Sequence, residues 1–213
     1  MTVSVILVDD HPLVLSGLRA LIQSHPRFHI VGEFSDGDAA LAAIRQQKPT
    51  IAVLDLKIGK CSGLSILGAV VDDALSTRIV LLAALMDDAE IYAAIDHGVH
   101  GMLLKDWAPD TLIDCLNAIT GGRRWLPEAL VKEPLERENV RRRLAEDISE
   151  RLTRREREVA LLIVDGLTVK QVADRLRLSE GTVKLHLHAV FQKLRVFKRS
   201  DMVLMLNSIR DRL

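Results

Sequence analysis

The chain has 213 residues, of which 48% are hydrophobic and 27% charged, and its formal net charge is zero. This length fits one large domain or two small ones, and the composition is ordinary for soluble globular protein. No apolar run approaches the roughly 20 residues that cross a bilayer, and the first residues lack the basic stretch of a signal peptide. The two cysteines, Cys61 and Cys115, match no zinc spacing, so we expect free thiols in a cytoplasmic protein without a membrane partner.

The zero net charge hides an asymmetry along the chain. Residues 1–125 carry 10 basic and 15 acidic residues (−5), residues 126–149 carry 5 and 6 (−1), and residues 150–213 carry 14 and 8 (+6). An acidic N-terminal part and a basic C-terminal part favour two domains with different partners, and a small basic domain often binds nucleic acid. We expect a first domain over 1–122, a partly helical linker over 123–149 and a second domain over 150–213.

Short apolar runs alternate with amphipathic helical stretches in the first domain. The apolar runs cover 3–8, 28–33, 51–54, 79–83 and 102–104, and the helical stretches cover about 13–24, 37–46, 63–75, 87–97 and 109–120. Five such pairs predict a doubly wound α/β fold, in which a parallel sheet carries helices on both faces. Such sheets bind ligands at the carboxyl ends of their strands, so the residues there are the candidates for a site.

Four charged residues stand where predicted strands end. Asp9 and Asp10 follow the first strand, Asp55 ends the third and Lys105 ends the fifth. Neighbouring carboxylates repel unless a cation lies among them, and oxygen ligands with room for water and phosphate suit Mg²⁺. A carboxylate beside that ion can accept a phosphoryl group, while a lysine stabilises charge on the transferred oxygens. The pattern predicts a phosphoryl-transfer site; the alternative is four unrelated charges on the exposed rim of a sheet.

These stretches resemble the receiver domain of bacterial response regulators over about residues 3–122. The matching segments are DD at 9–10, DLKIGKCSG at 55–63 and LLKD at 103–106. The resemblance implies a five-stranded parallel sheet of order 2-1-3-4-5. It also implies a sensor histidine kinase as partner.

The resemblance implies a role for each charged residue of the first domain. Asp55 is the phosphoacceptor, Asp9 and Asp10 join it in holding Mg²⁺, and Lys105 contacts the phosphoryl group. An aspartyl-phosphate phosphatase is a remote alternative, because such enzymes carry a second Asp two residues after the nucleophile, where this chain has Lys57. We therefore expect a regulator rather than an enzyme.

Three positions depart from the receiver pattern. Ala83 stands at the end of the fourth strand, where receivers place Ser or Thr, and Met102 stands three residues before the lysine, where they place Tyr or Phe. Gly59 replaces the usual proline. The side chains missing at 83 and 102 normally report phosphorylation, so two alternatives remain. One is a regulator switched by phosphorylation, and the other is a phosphorylation-independent regulator controlled by dimerisation or another ligand.

Three helices in the second domain carry start signals. Thr153 with Glu156 and Thr168 with Gln171 form capping boxes, and Ser179 can cap a third helix. A short turn joins the second and third helices, as an all-α helix-turn-helix domain requires.

The third of these helices has two distinct faces. Its apolar residues fall at helical spacing and should pack inward. Another face carries Glu180, Lys184, His188 and Gln192 at a spacing of four. From the helix alone, this mixed polar face either binds DNA or is simply solvated.

Residues 150–213 resemble the LuxR-type output domain of NarL/FixJ response regulators. The shared motifs are LTRREREV, a Gly-Leu turn, TVKLH and KLRV. By this pattern Lys184, Leu185 and His188 face the major groove of double-stranded DNA, where Lys184 could read guanine and Leu185 could contact thymine methyl groups. The residues assigned to phosphate contacts or structure are Thr182, His186, Lys193 and Arg199. The resemblance implies a transcription regulator that binds DNA as a homodimer.

Two further segments carry apolar stripes. The linker should break at Pro134, after which Val140, Leu144 and Ile148 line one side of a helix. The last helix, about 199–212, has a stripe that is either core or the dimer contact of the DNA-bound form.

Overall fold

A computed structural model describes residues 2–212, apart from the side chain of Asp211. The chain divides into two compact units, Met1–Leu135 and Glu136–Leu213. No helix within the described residues is both long and apolar enough to cross a membrane. The predicted domain limits at 122 and 150 stay predictions.

The first unit is built on a five-stranded sheet in which every neighbouring pair of strands is parallel. The strands of this sheet are β1 (Val3–Val8), β2 (Phe28–Phe34), β3 (Ile51–Asp55), β6 (Arg78–Ala83) and β7 (Gly101–Leu104), while β4 (Lys57–Ile58) and β5 (Cys61–Ser62) form a separate hairpin. The order is β2-β1-β3-β6-β7. Counting only the sheet strands gives 2-1-3-4-5, so the predicted order is confirmed.

Helices cover both faces of this sheet. They are α1 (Pro12–Gln23), α2 (Gly37–Gln47), α3 (Gly63–Asp72), α4 (Asp88–Asp96) and α5 (Ala108–Thr120). Side chains alternate along a strand, so Ile6 and Val8 of β1 join one core cluster, with residues of α2, α3 and α4. Val5 and Leu7 join the other cluster, with residues of α1 and α5. Burial on both faces explains why the strands read as continuous apolar runs.

The chain returns to the sheet edge after α5. The Trp125 N–H donates to the His100 carbonyl at 2.8 Å, and the Trp125 carbonyl accepts from the Met102 N–H at 3.0 Å. The next helix, α6 (Glu128–Arg151), contains Pro134, so the expected break at this proline is wrong. Apolar packing of the preceding turn against the first core cluster supports helical conformation there despite the lost hydrogen bond.

The second unit is all-helical. Its helices are the part of α6 from Glu136 onward, α7 (Arg154–Val164), α8 (Val169–Leu176), α9 (Glu180–Leu194) and α10 (Arg199–Asn207), followed by a 3-10 turn at Arg210–Arg212. The capping boxes predicted at Thr153 and Thr168 both form, and the Ser179 side chain accepts from the Thr182 N–H.

The apolar stripes of the second unit face its core. In α6, Ile148 is buried and Leu144 packs against the cluster, whereas Val140 is 65% exposed, so the predicted linker stripe holds over its second half. Along the last helical segment, Met202 and Leu206 are buried. The α10 stripe therefore contributes to the core, and a dimer contact through α10 stays a prediction.

Candidate functional site

Three of the predicted charged residues meet at the carboxyl end of the sheet. Asp9 directly follows β1, Asp55 ends the neighbouring β3, and both carboxylates are buried. The Lys105 ammonium lies 2.7 Å from Oδ2 of Asp9 and 2.9 Å from Oδ2 of Asp55. Lys105 begins a 3-10 turn immediately after β7. Because parallel strands end at the same edge, three residues far apart in sequence form one ion-paired cluster.

Asp10 and His11 lie at the rim of this cluster. The Gly59 N–H donates to Oδ2 of Asp10 at 3.2 Å, and Gly59 has a φ of +52°, which glycine adopts without steric cost. Nδ1 of His11 lies 2.7 Å from Asp10 and 3.1 Å from Asp9, in each case from Oδ1. His11 was missed from the sequence, where its one signal is its place directly after the aspartate pair.

Burial and charge shift the pKa values of the two inner partners. Burial raises the pKa of Asp55 above its usual value and the charge of Asp9 adds to this effect, while the hydrogen bond from Lys105 opposes it. For Lys105, burial alone would lower the pKa, but its hydrogen bonds and attraction to Asp9 and Asp55 prevail and raise it. Lys105 is therefore a cation at neutral pH.

The donor atoms fit a divalent cation. Asp9, Asp10, His11 and Asp55 each offer one ligand atom, and these atoms lie within 4.8 Å of one another. Three of the four donors are carboxylate oxygens, the ligand type that Mg²⁺ prefers. The exposed rim at Asp10 and His11 leaves room for the waters that Mg²⁺ retains.

The two atypical receiver positions carry no polar side chain. Ala83, the last residue of β6, is 3% exposed, and Met102 of β7 is fully buried. Both belong to the first core cluster, against which Leu126 packs from the segment before α6 and Leu130 from the first turn of α6. Position 83 therefore offers no hydroxyl to the acidic site, and position 102 offers no ring that could move between buried and exposed states.

Helix α9 presents its predicted base-reading residues to solvent. Lys184 and His188 are exposed, and Leu185 is 72% exposed although it is apolar. Nε2 of His188 lies 3.0 Å from Nε2 of Gln192, one turn further along the same face. These side chains are free of the core and can reach a ligand.

Lys193 and Arg199 make contacts within the second unit. The Lys193 ammonium lies 2.9 and 2.6 Å from the two carboxylate oxygens of Glu156. The Arg199 guanidinium donates to the carbonyl oxygens of Ile163 and Leu167, at 3.2 and 3.1 Å. Both side chains thereby tie the end of α9 and the start of α10 to α7 and the turn that follows it.

Thr182 and His186 are half-buried. Oγ1 of Thr182 lies 2.8 Å from Oγ of Ser179, within the cap of α9. Thr182 therefore supports the helix start that presents Lys184.

Known proteins resemble the chain over both units. The response regulator receiver domain matches residues 5–117, and the luxR family of bacterial regulatory proteins matches residues 150–206. The nitrate/nitrite response regulator protein NarL of Escherichia coli K12 is 32% identical over 198 residues, which cover 93% of this chain and 92% of NarL.

Solved structures show the same likeness. A structure of the RcsB response regulator of Salmonella typhimurium, 27% identical, superposes with a TM-score of 0.68 and covers 97% of this chain and all of that one. An RcsB–DNA complex, also 27% identical, superposes with a TM-score of 0.60 over 98% of this chain and all of that chain.

Proposed function

This chain belongs to the DNA-binding transcriptional response regulators that join a receiver domain to a luxR-family output domain, and we propose that Asp55 is its phosphoacceptor. The observation that carries the proposal is the position of the Lys105 ammonium, 2.9 Å from the buried Asp55 carboxylate. A fixed cation at this point stabilises charge on the phosphoryl oxygens during transfer. A sensor histidine kinase in the cytoplasm is the proposed donor, and the free thiols of Cys61 and Cys115 agree with that compartment.

The proposed transfer places a phosphoryl group on a carboxylate oxygen of Asp55. That oxygen attacks phosphorus, the bond from phosphorus to the donor breaks, and the donor leaves with its electron pair. Lys105 keeps its proton and its charge throughout, and it exchanges part of its contact with Asp55 for the new phosphoryl oxygens. Asp9, Asp10 and Asp55 would hold Mg²⁺, which neutralises the transferred oxygens when bound.

We further propose that phosphorylation is a weak switch in this chain. A receiver switches when phosphate binds one conformation better than another, and a hydrogen bond to a charged group is worth roughly 1.5–3 kcal/mol. Shifting an equilibrium from 1:99 to 99:1 needs about 5.5 kcal/mol of differential binding. Ala83 has no hydroxyl that could donate a hydrogen bond to a phosphoryl oxygen, and Met102 lacks the aromatic ring that normally reports phosphorylation. Up to half of the differential binding free energy that a full shift requires is therefore absent.

For the output unit, we propose that α9 reads the major groove of a duplex bound by a homodimer. Lys184, Leu185 and His188 are the proposed base contacts, supported by their exposure on one helix. Lys193 and Arg199 are proposed as structural residues, because their charged groups contact Glu156 and backbone carbonyl oxygens.

Intact-mass measurement tests the central assignment. The full-length wild-type chain and the Asp55→Asn variant are each treated with acetyl phosphate in the presence of Mg²⁺. One added phosphoryl group on the wild type and none on Asp55→Asn is the expected result. Equal phosphorylation of wild type and Asp55→Asn would place the phosphoacceptor elsewhere, and no phosphorylation of wild type would contradict the proposed chemistry.

A further inference from the structure

Phe197 is 96% exposed, although it is a large aromatic residue. It lies in the short connection between α9 and α10. Arg195 ends α9 in the left-handed conformation, with a φ of +54°, and the Val196 N–H donates to the Phe191 carbonyl at 3.1 Å. Arg199, two residues further on, is anchored to backbone carbonyl oxygens of the same unit. The aromatic ring is thus held outward by a turn fixed on both sides.

The ring shares a surface hollow with the proposed DNA-reading helix. The hollow has a volume of about 710 Å³, and His188, Gln192 and Phe197 lie in its lining. Isolated exposed apolar residues are common and need no explanation, but an aromatic side chain that continues a binding face is a candidate contact. Phe197 therefore extends the face of α9 that begins at Lys184.

The length of α9 determines which part of a duplex this turn can reach. Lys184 and Leu194 are ten residues apart, or about 15 Å along the helix axis, whereas the major groove is about 12 Å wide. If α9 crosses the groove with Lys184 at the base edges, the turn beyond Leu194 reaches the sugar–phosphate backbone that borders the groove.

The charge of the connection fits that location. Residues 193–199 contain four basic and no acidic residues. Lys193 and Arg199 are engaged within the unit, while Arg195 and Lys198, on either side of Phe197, are exposed. Two outward cations flanking an outward ring match the alternation of phosphates and apolar sugar edges along a DNA strand.

We propose that Phe197 packs against the sugar edges of the bordering DNA strand while Arg195 and Lys198 contact its phosphates. The inference rests on the proposed role of α9 and adds a second DNA contact to it. Burying the ring against deoxyribose removes apolar area from water and releases no counterions, whereas each phosphate contact releases them. The aromatic and basic members of this contact therefore leave different signatures in the salt dependence of binding.

Fluorescence anisotropy with the full-length chain tests this. The probe is a labelled duplex selected from a random pool by the wild-type chain, titrated at several salt concentrations. The variants are Phe197→Ala, Arg195→Ala, Lys198→Ala and Lys184→Ala, with Val140→Ala as an exposed apolar control elsewhere in the unit. Thermal melting verifies folding, and sedimentation measures self-association.

We expect Phe197→Ala to weaken binding by roughly tenfold or more with an unchanged salt slope, melting temperature and self-association. Arg195→Ala and Lys198→Ala should each make the slope shallower by about one, and Val140→Ala should bind as the wild type does. Wild-type affinity of Phe197→Ala, beside a weakened Lys184→Ala, would overturn the inference and leave the proposed function standing. A loss that follows reduced self-association would assign Phe197 to a second copy of the chain and overturn it too. Wild-type chain that binds no duplex would overturn the proposed function itself.

Discussion

Lys193 contacts both carboxylate oxygens of Glu156, at 2.9 and 2.6 Å, and so links α9 to α7. One of those oxygens also accepts from the Thr153 N–H at 2.8 Å, which completes the capping box of α7. The Glu156 side chain is 8% exposed and that of Lys193 is 37% exposed. This ion pair helps to fix the orientation of the helix that carries Lys184.

The first prediction concerns the stability contributed by this ion pair. Burial opposes ionisation of Glu156, but the hydrogen bonds from Lys193 and Thr153 prevail and lower its pKa. A pKa lower in the folded than in the unfolded state stabilises the fold above the ordinary carboxyl value of about 4.3, and this stability is lost as pH falls through the folded value. Glu156→Gln keeps the capping geometry but loses the charge, and should cost about 1–3 kcal/mol at neutral pH.

Hydrogen exchange of the α7 and α9 amides, followed from neutral to acidic pH, measures this cost. Exchange in wild type should approach that of Glu156→Gln as the solution is acidified. Glu158→Gln, which removes a 36% exposed carboxylate that pairs with Arg154 and Arg155, is the matched control and should have a smaller effect. If the hydrogen-exchange rates of wild type and Glu156→Gln still differ by the same amount in acid, the electrostatic explanation is contradicted.

The second prediction separates the two lysines of α9. Lys184→Ala should reduce discrimination at one base pair by roughly 1–3 kcal/mol and leave stability unchanged, because its side chain is exposed. Lys193→Met should reduce stability and leave base preference unchanged. Duplex binding against single-base variants, combined with thermal melting, checks both. Altered base preference in Lys193→Met with unaltered melting would instead make Lys193 a DNA contact.

The third prediction concerns Mg²⁺. Asp10 is the most exposed of the three carboxylates, and its removal leaves the Lys105 ion pairs with Asp9 and Asp55 in place. Mg²⁺ should raise the melting temperature of the wild type and have no effect on Asp10→Asn. Asp10→Asn should be at least as stable as wild type without metal, because it relieves repulsion between neighbouring carboxylates. Equal shifts in both proteins would place the metal elsewhere.

The fourth prediction restores a hydroxyl to the end of β6. Ala83→Ser adds one oxygen at the residue after Leu82, the β6 partner of Asp55, and a hydrogen bond from it to a phosphoryl oxygen is worth roughly 1.5–3 kcal/mol. The phosphodonor-induced change in DNA affinity should therefore be larger in Ala83→Ser than in wild type. Ala94→Ser, in the same core cluster but on α4, controls for adding a buried hydroxyl. Equal phosphodonor responses of Ala83→Ser and wild type would show that the missing hydroxyl does not limit coupling.

The sequence predicted the sheet because its strands are buried on both faces and read as apolar runs, and it predicted the acidic cluster because parallel strands end at one edge. It failed where tertiary contacts decide the outcome. Pro134 lies within α6, since packing of the preceding turn against the first core cluster supports the helix there. The partner of Lys193, Glu156, lies 37 residues away in the sequence and is brought to it by folding, so spacing along the chain does not encode that contact.

The most direct test of the weak-switch proposal compares DNA binding by full-length wild type and Asp55→Asn, each with and without acetyl phosphate and Mg²⁺. Because Ala83 and Met102 remove the usual hydroxyl and ring, Asp55→Asn should retain most of the wild-type affinity. Phosphodonor should change wild-type affinity by less than about tenfold, or 1.4 kcal/mol. A much larger gain in wild type that vanishes in Asp55→Asn would contradict the proposal and establish a conventional phosphorylation switch.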